Sequence, residues 1–301
     1  MNNIIEQLSD EIYLIRGKGN GKIPYSNSII FADFLIDTGI SIHHIEKIKN
    51  QFKIKDILFS HWHEDHIRDN EIFKNARKSC HVLEKKVLED TSYFMKYYYV
   101  LGTPAQEVFN YYLFNSIKIK DIEIDKTFED GTTFEIGKDL CLNVIYAPGH
   151  SAGHCCFYEK QMKVAFFADI DLSKFGPWYG CLDSNIIDFE SSIEKLLKLD
   201  VDVVVTGHVG LITGKKVIKD RLKKYKSIIK KREDMILEQF SERKEKTIDD
   251  LMQKNIIYNF YKDSFYSYLL VAEKAMLSKH LNKLIGQEKL VKDDKEHYYL
   301  Q

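Results

Sequence analysis

Six residues decide most of what this chain can become. His61, Trp62, His63, Glu64, Asp65 and His66 place three imidazoles and two carboxylates within six positions, directly after the apolar run Ile57-Leu58-Phe59. Residues two apart on extended backbone point the same way, so His61 and His63 can reach one metal while Asp65 and His66 turn past them toward a second position. Four candidate ligands in one loop imply two adjacent ions, and the fold must bring further ligands to them.

The surrounding pattern says how. EIYLIRG and NSIIFADFLIDTG read as consecutive antiparallel strands, rich in β-branched and aromatic residues and ended by glycines. SIHHIEKIKNQFK has Ile42, Ile45, Ile48 and Phe52 at helical spacing, and DILFS follows as a short buried strand running into the histidines. Leu83 to Asn115 reads as two helices separated at Gly102 and Pro104. Strands return in KIKDIEIDKTF, TTFEIG, LCLNVIYAPGH, HCCFYEK and KVAFFADIDL, then a helix near DFESSIEKLLKL and a last strand, DVVVTGH. Strands with polar clusters at their ends, alternating with helices, predict two packed sheets covered by helices on their outer faces, an α+β fold.

Three more candidate ligands stand at the carboxyl ends of these strands: His150 after NVIYAPG, Asp169 after VAFFA and His208 after VVVTG. A carboxylate can bridge two cations, and imidazole suits zinc, iron and related ions, so the set makes a sensible N/O site. HWHEDH, PGHSAGH, FFAD and TGH, in that order, resemble the motifs of the metallo-β-lactamase superfamily over roughly the first 210 residues. The resemblance implies a four-layer αββα sandwich, with His61, His63 and His150 on the first metal, Asp65, His66 and His208 on the second, and Asp169 bridging. It also makes His154 a supporting group or a transition-state donor, and Asp37, in LIDTG, a carboxylate that fixes the orientation of ligand imidazoles. His43, His44, His81, His280 and His297 read as ordinary core or surface histidines.

Two close cations, zinc by preference with iron or manganese as alternatives, lower the pKa of a shared water toward neutrality. Hydrolysis through a metal-bridging hydroxide oriented by Asp65 is therefore the expected chemistry. The resemblance is to the glyoxalase II-like branch and implies a small ester, thioester or lactone substrate. A metal-dependent endoribonuclease and a mononuclear-iron sulfur dioxygenase are the alternatives. The loop DLSKFGPWYGCLD, directly after Asp169, offers Phe175, Trp178 and Tyr179 as a wall for a small apolar or planar substrate, or else as a cover for the sheet edge.

Composition narrows the rest. A net charge of -1 provides no global field for nucleic acid or acidic membrane, and 30% charged residues against 44% apolar is ordinary globular usage. The start, MNNIIEQLSDEIYLI, lacks a basic secretory leader, no run nears about 18 apolar residues, and five irregularly spaced cysteines give no disulfide framework. A cytoplasmic protein with reduced thiols and no membrane association is expected, and a homodimer is compatible with it.

After Gly214 the strand signals stop, which places a boundary between a catalytic domain, 1–214, and a C-terminal domain, 215–301. Ten basic residues stand between Lys215 and Arg232 against one acid, Asp220. TIDDLMQ begins a second helix with Thr247 as its N-cap, AEKAMLSKHLNKLIGQ gives a third, and KLVKDDKEHYYL reads as a hairpin. The order resembles a winged helix. RNA held by the lysines is one expectation for this tail, and a small packing or dimer-forming module is the other.

Overall fold

The computed structural model describes residues 4–136, 140–240, 245–258 and 266–301. Gly137, which ends the TTFEIG run, lies outside the described residues. The first sheet has seven strands in chain order: β1 Ile5–Ser9, β2 Ile12–Ile15, β3 Ser28–Phe31, β4 Phe34–Ile36, β5 Asp56–Phe59, β6 Arg77–His81 and β7 Lys126–Phe128. β1 to β4 form an antiparallel meander, and β4 to β7 run parallel. Helix α1, Ile42–Gln51, makes the first parallel crossover and turns Ile45 and Ile48 inward, with Ser41 capping its start.

The second sheet contains β8 Thr133–Ile136, β9 Leu140–Tyr146, β10 Cys155–Glu159, β11 Val164–Phe166, β12 Val203–Thr206 and β13 Gly210–Thr213. Their order is β13-β12-β11-β10-β9-β8, with β11 and β12 the one parallel pair. Side chains alternate across both sheets as period two requires. Ile12, Leu14, Ile29 and Phe31 face Leu142, Val144, Cys155 and Phe157 between the sheets. Their neighbours Ile15 and Ile30 face α1, while Ile145, Cys156 and Tyr158 face the helices of the other side. The result is the four-layer αββα sandwich.

The stretch expected as two helices is more broken. After the short turn of helix α2, Glu64–Ile67, come α3 Lys85–Glu89, α4 Tyr93–Tyr97, α5 Gln106–Asn110 and a wider-wound segment, Tyr111–Ile117. Gly102 and Pro104 do separate α4 from α5, and a further break falls at Asp90 and Thr91. There side chains take the backbone donors: Asp90 accepts from Ser92 N–H and Asp121 from Thr91 N–H. KIKDIEIDKTF forms a strand only over its last residues, Lys126–Phe128, and just before it Asp125 bonds Lys78 twice, its N–H donating to Lys78 O and its side chain accepting from Lys78 N–H. Strands β1 and β13 fall outside the runs that read as strands from the sequence.

Helix α6, Ile186–Leu197, starts on Asn185, whose side chain accepts from Ile187 and Asp188 N–H, and covers the second sheet with Phe189, Ile193 and Leu196. The tail follows as α7 Lys215–Glu238, α8 Ile248–Met252, α9 Tyr266–Gly286 and the hairpin β14 Leu290–Lys292 with β15 Tyr298–Leu300. Thr247 caps α8 in a full capping box with Asp250. Gly214 lies between β13 and α7, and the core of the second sheet runs across that point. Ile218, Leu222 and Ile229 of α7 and Leu277 and Leu281 of α9 belong to one buried cluster with Phe167 and Val204. Among the described residues, no helix is long and apolar enough to cross a membrane.

Candidate metal centre

Four strand ends meet at one edge of the sandwich. β5 delivers the histidine loop, β9 leads to His150, β11 to Asp169 and β12 to His208. His63 is still extended (φ -61°, ψ 142°), so His61 and His63 share a side, and α2 then swings Asp65 and His66 round. Trp62, on the opposite side, is fully buried against Phe94, Tyr97 and Tyr98.

Two groups of ligand atoms result, each within 4.8 Å of one another: His61, His63, His150 and Asp169, and Asp65, His66 and His208. His150 Nε2 lies 2.8 Å from His63 Nδ1 and 3.2 Å from His61 Nε2. Asp169 joins the groups, with Oδ2 3.2 Å from His150 Nε2 and Oδ1 2.8 Å from His66 Nε2 and 3.3 Å from His208 Nε2. His208 Nε2 is also 3.3 Å from Asp65 Oδ2. All seven residues named from the sequence are brought together.

The far nitrogen of each ring sets its tautomer. His150 Nδ1–H donates to Trp178 O at 3.0 Å and His208 Nδ1–H to Gly21 O at 2.7 Å, since a carbonyl can only accept. Asp37 Oδ2 accepts from His66 Nδ1–H at 2.7 Å and from the Ser60 hydroxyl at 2.7 Å, which leaves Ser60 Oγ to accept from His61 Nδ1–H at 2.9 Å. His63 Nε2 contacts Cys181 Sγ at 3.4 Å. For His61, His66, His150 and His208 the near nitrogen is thereby the one turned toward its group, the arrangement in which outer partners orient metal-ligating imidazoles, while, against burial, Asp169 and Asp65 hold the His208 ring up at about 10.

The donor set fits cations. Lone pairs of His61, His63 and His150 converge with nothing positive between them. The buried His66 Nε2 and Asp169 Oδ1 have no hydrogen-bond partner in spite of their proximity. Leaving such atoms unmatched is costly unless a cation takes them up. Burial, reinforced by His66, holds the His61 imidazole well below its ordinary pKa, and burial with His150 does the same for His63, so both stay in the neutral form that ligates. Gly207 keeps the space open, for a Cβ there would come within 2.8 Å of both Asp169 Oδ1 and His66 Cε1. Gly39 is likewise needed, because a Cβ would strike the Asp65 carbonyl.

His154 is fully buried and both its nitrogens are spent. Nδ1–H donates to Ala147 O at 3.0 Å, and Nε2 accepts from Asp169 N–H at 3.2 Å. Burial, with His150 beside it, pushes its pKa down to about 3. A neutral ring with no free N–H cannot act as a transition-state donor, so that part of the expectation gives way to the supporting role: His154 holds the backbone of Asp169.

The three aromatic residues of the following loop diverge. Trp178 stands 5.5 Å from the His63 ring and 5.6 Å from His150. Phe175 stacks away from the ligands, against Tyr258 and the Arg232 guanidinium. Tyr179 points into the core, with no exposed surface and its hydroxyl bonded to His280 Nε2 at 2.6 Å and Arg232 Nη1 at 3.0 Å. A fully buried ring cannot wall a substrate, so only Trp178 of the three is placed to do so.

Several supporting residues carried no motif. Besides Ser60, Asn27 clamps the two sheets at this edge by donating to Thr206 O and Gly207 O. Glu84 is fully buried and accepts from Trp62 N–H, Ser151 Oγ–H and Gly153 N–H, at 2.9, 2.7 and 2.6 Å, which ties the histidine loop to the PGHSAGH loop. Burial, with Asp183 nearby, raises its carboxyl to about 8. Glu64 accepts from Tyr98 at 2.5 Å and Tyr112 at 3.0 Å, and burial, with Asp65 next to it, raises it to about 7.

Residues 25–208, more than half of the chain, match the family model described as Metallo-beta-lactamase superfamily. The chain belongs to that superfamily. An uncharacterized protein of Aquifex aeolicus (strain VF5) is 25% identical over 181 residues, 58% of this chain and 77% of its own length. A hydroxyacylglutathione hydrolase of Rhizobium johnstonii is 37% identical over 87 residues, and an acyl-coenzyme A thioesterase of Bos taurus 26% identical over 110. These two matches cover 28% and 34% of this chain and only 32% and 37% of the relatives. A solved metallo-beta-lactamase family protein from Thermus thermophilus superposes with a TM-score of 0.70 at 21% identity, over 96% of this chain and 93% of its own. A beta-lactamase domain protein from Burkholderia ambifaria gives 0.74 at 16%, over 99% and 93%. At such identity the likeness speaks for the fold, and it extends through the C-terminal helices. The superfamily sandwich and its hydrolase character are thus established for this chain.

Proposed function

We propose that this metallohydrolase works with two divalent cations, zinc by preference, on a small acyl substrate, with thioesters first among the esters and lactones that the site could accept. One observation carries the reading: Asp169 stands between two ligand groups in which outer partners turn the near nitrogens of His61, His66, His150 and His208 inward. His61, His63 and His150 would hold one ion, Asp65, His66 and His208 the other, and Asp169 both.

Two such ions supply an activated water near neutral pH and polarise the carbonyl under attack. The chain's own residues do the rest. Asp65, beside His208, orients the attacking water and receives its proton. Asp37 holds His66 directly and His61 through Ser60, so that one carboxylate fixes a ligand in each group. Trp178 supplies an apolar face next to His63 and His150, suited to an acyl chain. Similarity to a thioesterase and to a hydroxyacylglutathione hydrolase supports the choice of substrate class.

The test is the metal content of the purified protein by elemental mass spectrometry, together with turnover of a thioester, a lactone, a bis-phosphodiester and single-stranded RNA. About two zinc per chain with thioester turnover is expected. RNA cleavage without carbonyl turnover, or one iron per chain with no hydrolysis, would replace the reading.

A further inference from the structure

Trp178 meets the metal centre with both its backbone and its side chain. Its carbonyl accepts from His150 Nδ1–H, and its indole lies 5.5 Å from the His63 ring and 5.6 Å from His150. The two parts are anchored separately, and both anchors come from the tail. Arg232 of α7 holds the backbone by donating to Pro177 O at 2.6 Å and to Phe175 O at 2.8 Å. The indole Nε1–H donates to the Tyr258 hydroxyl at 2.7 Å. Gly180 leaves room for the ring in this one setting, for a Cβ there would stand 2.6 Å from Trp178 Cζ2.

Tyr258 is itself held in place. Its N–H and that of Ile257 donate to the carboxylate of Glu273, fully buried on α9, at 2.9 and 3.1 Å. Its ring packs against Phe175 at 5.2 Å. A line of contacts therefore runs from Glu273 through Tyr258 to the indole beside His63 and His150. An indole N–H can only donate, and Trp178 is half-buried. Without the phenol that N–H loses its partner, and the ring regains one only by turning toward water.

We propose that Tyr258 is a positioning residue for acyl-chain selectivity, a role that rests on the thioester reading above: by fixing the plane of the Trp178 indole it favours longer acyl thioesters over acetyl. A hexanoyl chain has a run of methylenes to lay along a fixed indole, and an acetyl group has none. The tail thereby takes part in substrate choice without supplying a metal ligand.

Tyr258→Phe keeps the ring on Phe175 and removes only the hydroxyl. The chain has two tryptophans, so the full metal-loaded protein carrying fluorotryptophan gives two fluorine resonances, assigned with Trp178→Phe. In Tyr258→Phe the Trp178 resonance should move or broaden, while that of the fully buried Trp62 stays. KM for hexanoyl-pantetheine should rise roughly three- to tenfold, the cost of one hydrogen bond, with kcat, metal content and the KM for acetyl-pantetheine near wild-type values. In a Trp178→Ala background the same substitution should change nothing further. An unmoved Trp178 resonance, a KM rise equal for both chain lengths, or one that adds in full to that of Trp178→Ala overturns the role of Tyr258. If the wild-type protein turns over neither thioester, the thioester reading falls and the selectivity with it, while the resonance still reports whether Tyr258 holds the indole.

Discussion

The histidine loop and helix α7 both concentrate ionisable side chains, and they differ in how those groups are answered. At the loop, buried donors and acceptors are left facing one another, with His66 Nε2 and Asp169 Oδ1 unmatched. Along α7 the protein answers half of its own charges. Lys215 pairs with Asp200, Lys216 with Asp220, Lys226 with Glu194 and Lys230 with Asp234. Arg232 is buried and spends its guanidinium on the carbonyls of Pro177 and Phe175 and on Tyr179. Arg221, Lys223, Lys224 and Lys231 are exposed to water, and Lys219 is half-buried. Charge density thus points to a ligand only where burial withholds both water and an internal partner, and substitutions in the two regions should differ accordingly.

The largest effect is expected at the loop. Asp65→Ala should lower turnover by orders of magnitude while the melting temperature of the protein holds, because the carboxylate serves the water and its ion rather than the core. Full activity in this variant would end the mechanism. Next comes Asp37→Asn. An amide has a single accepting oxygen, and if it takes His66 and the Ser60 hydroxyl its NH2 is turned against the Ser60 N–H that Oδ1 accepts from, so metal affinity should fall roughly 10–100-fold in a chelator competition, with both ions affected. Loss confined to one ion would show that the Ser60 relay to His61 carries little.

Trp178→Ala should raise KM several-fold for an acyl thioester without altering metal content. Here the contrast lies within one loop, since Phe175 and Tyr179 were equal candidates by sequence. The loop's direction is fixed by Arg232, which grips its backbone from α7, 55 and 57 positions away in sequence. No local pattern carries that information. The ligands themselves were legible because each follows an apolar strand and lies in a short motif, and Asp37 was legible for the same reason. Ser60, Asn27 and Glu84 were not, since their roles exist only once distant loops meet. His154 shows the intermediate case: its place in the motif was readable, but the engagement of both nitrogens required the fold.

Glu84 allows the same contrast to be read as stability. Its carboxyl is raised to about 8 in the folded protein, chiefly by burial and then by Asp183, from an ordinary value of 4.5. A raised acid favours the native state while protonated, so its contribution is complete below the ordinary value. That contribution is lost as pH climbs through the interval from about 4.5 to about 8. Denaturant midpoints of the wild type should decline across that interval, and Glu84→Gln, which cannot ionise, should remove part of the slope. An identical slope in the variant would mean that Glu84 stays ionised, held by its three donors.

The smallest effect is expected on α7, where Lys219, Lys223 and Lys224 have no ion-pair partner among the described residues of the kind that answers Lys215 or Lys226. Solvated lysines on a helix that spends half of its cations internally offer few phosphate contacts, and each contact to a single strand contributes about 0.7 unit to the salt slope of binding. Any RNA affinity should therefore be weak and shallow in its salt dependence. Replacing these three lysines by Gln should leave thioester turnover unchanged and shift stability by no more than about 0.5 kcal/mol per site, as for surface positions in general. A steep salt slope in filter binding that the triple variant flattens would reverse the comparison: α7 would then hold charges awaiting a partner, as the metal loop does, and RNA would become the substrate to examine.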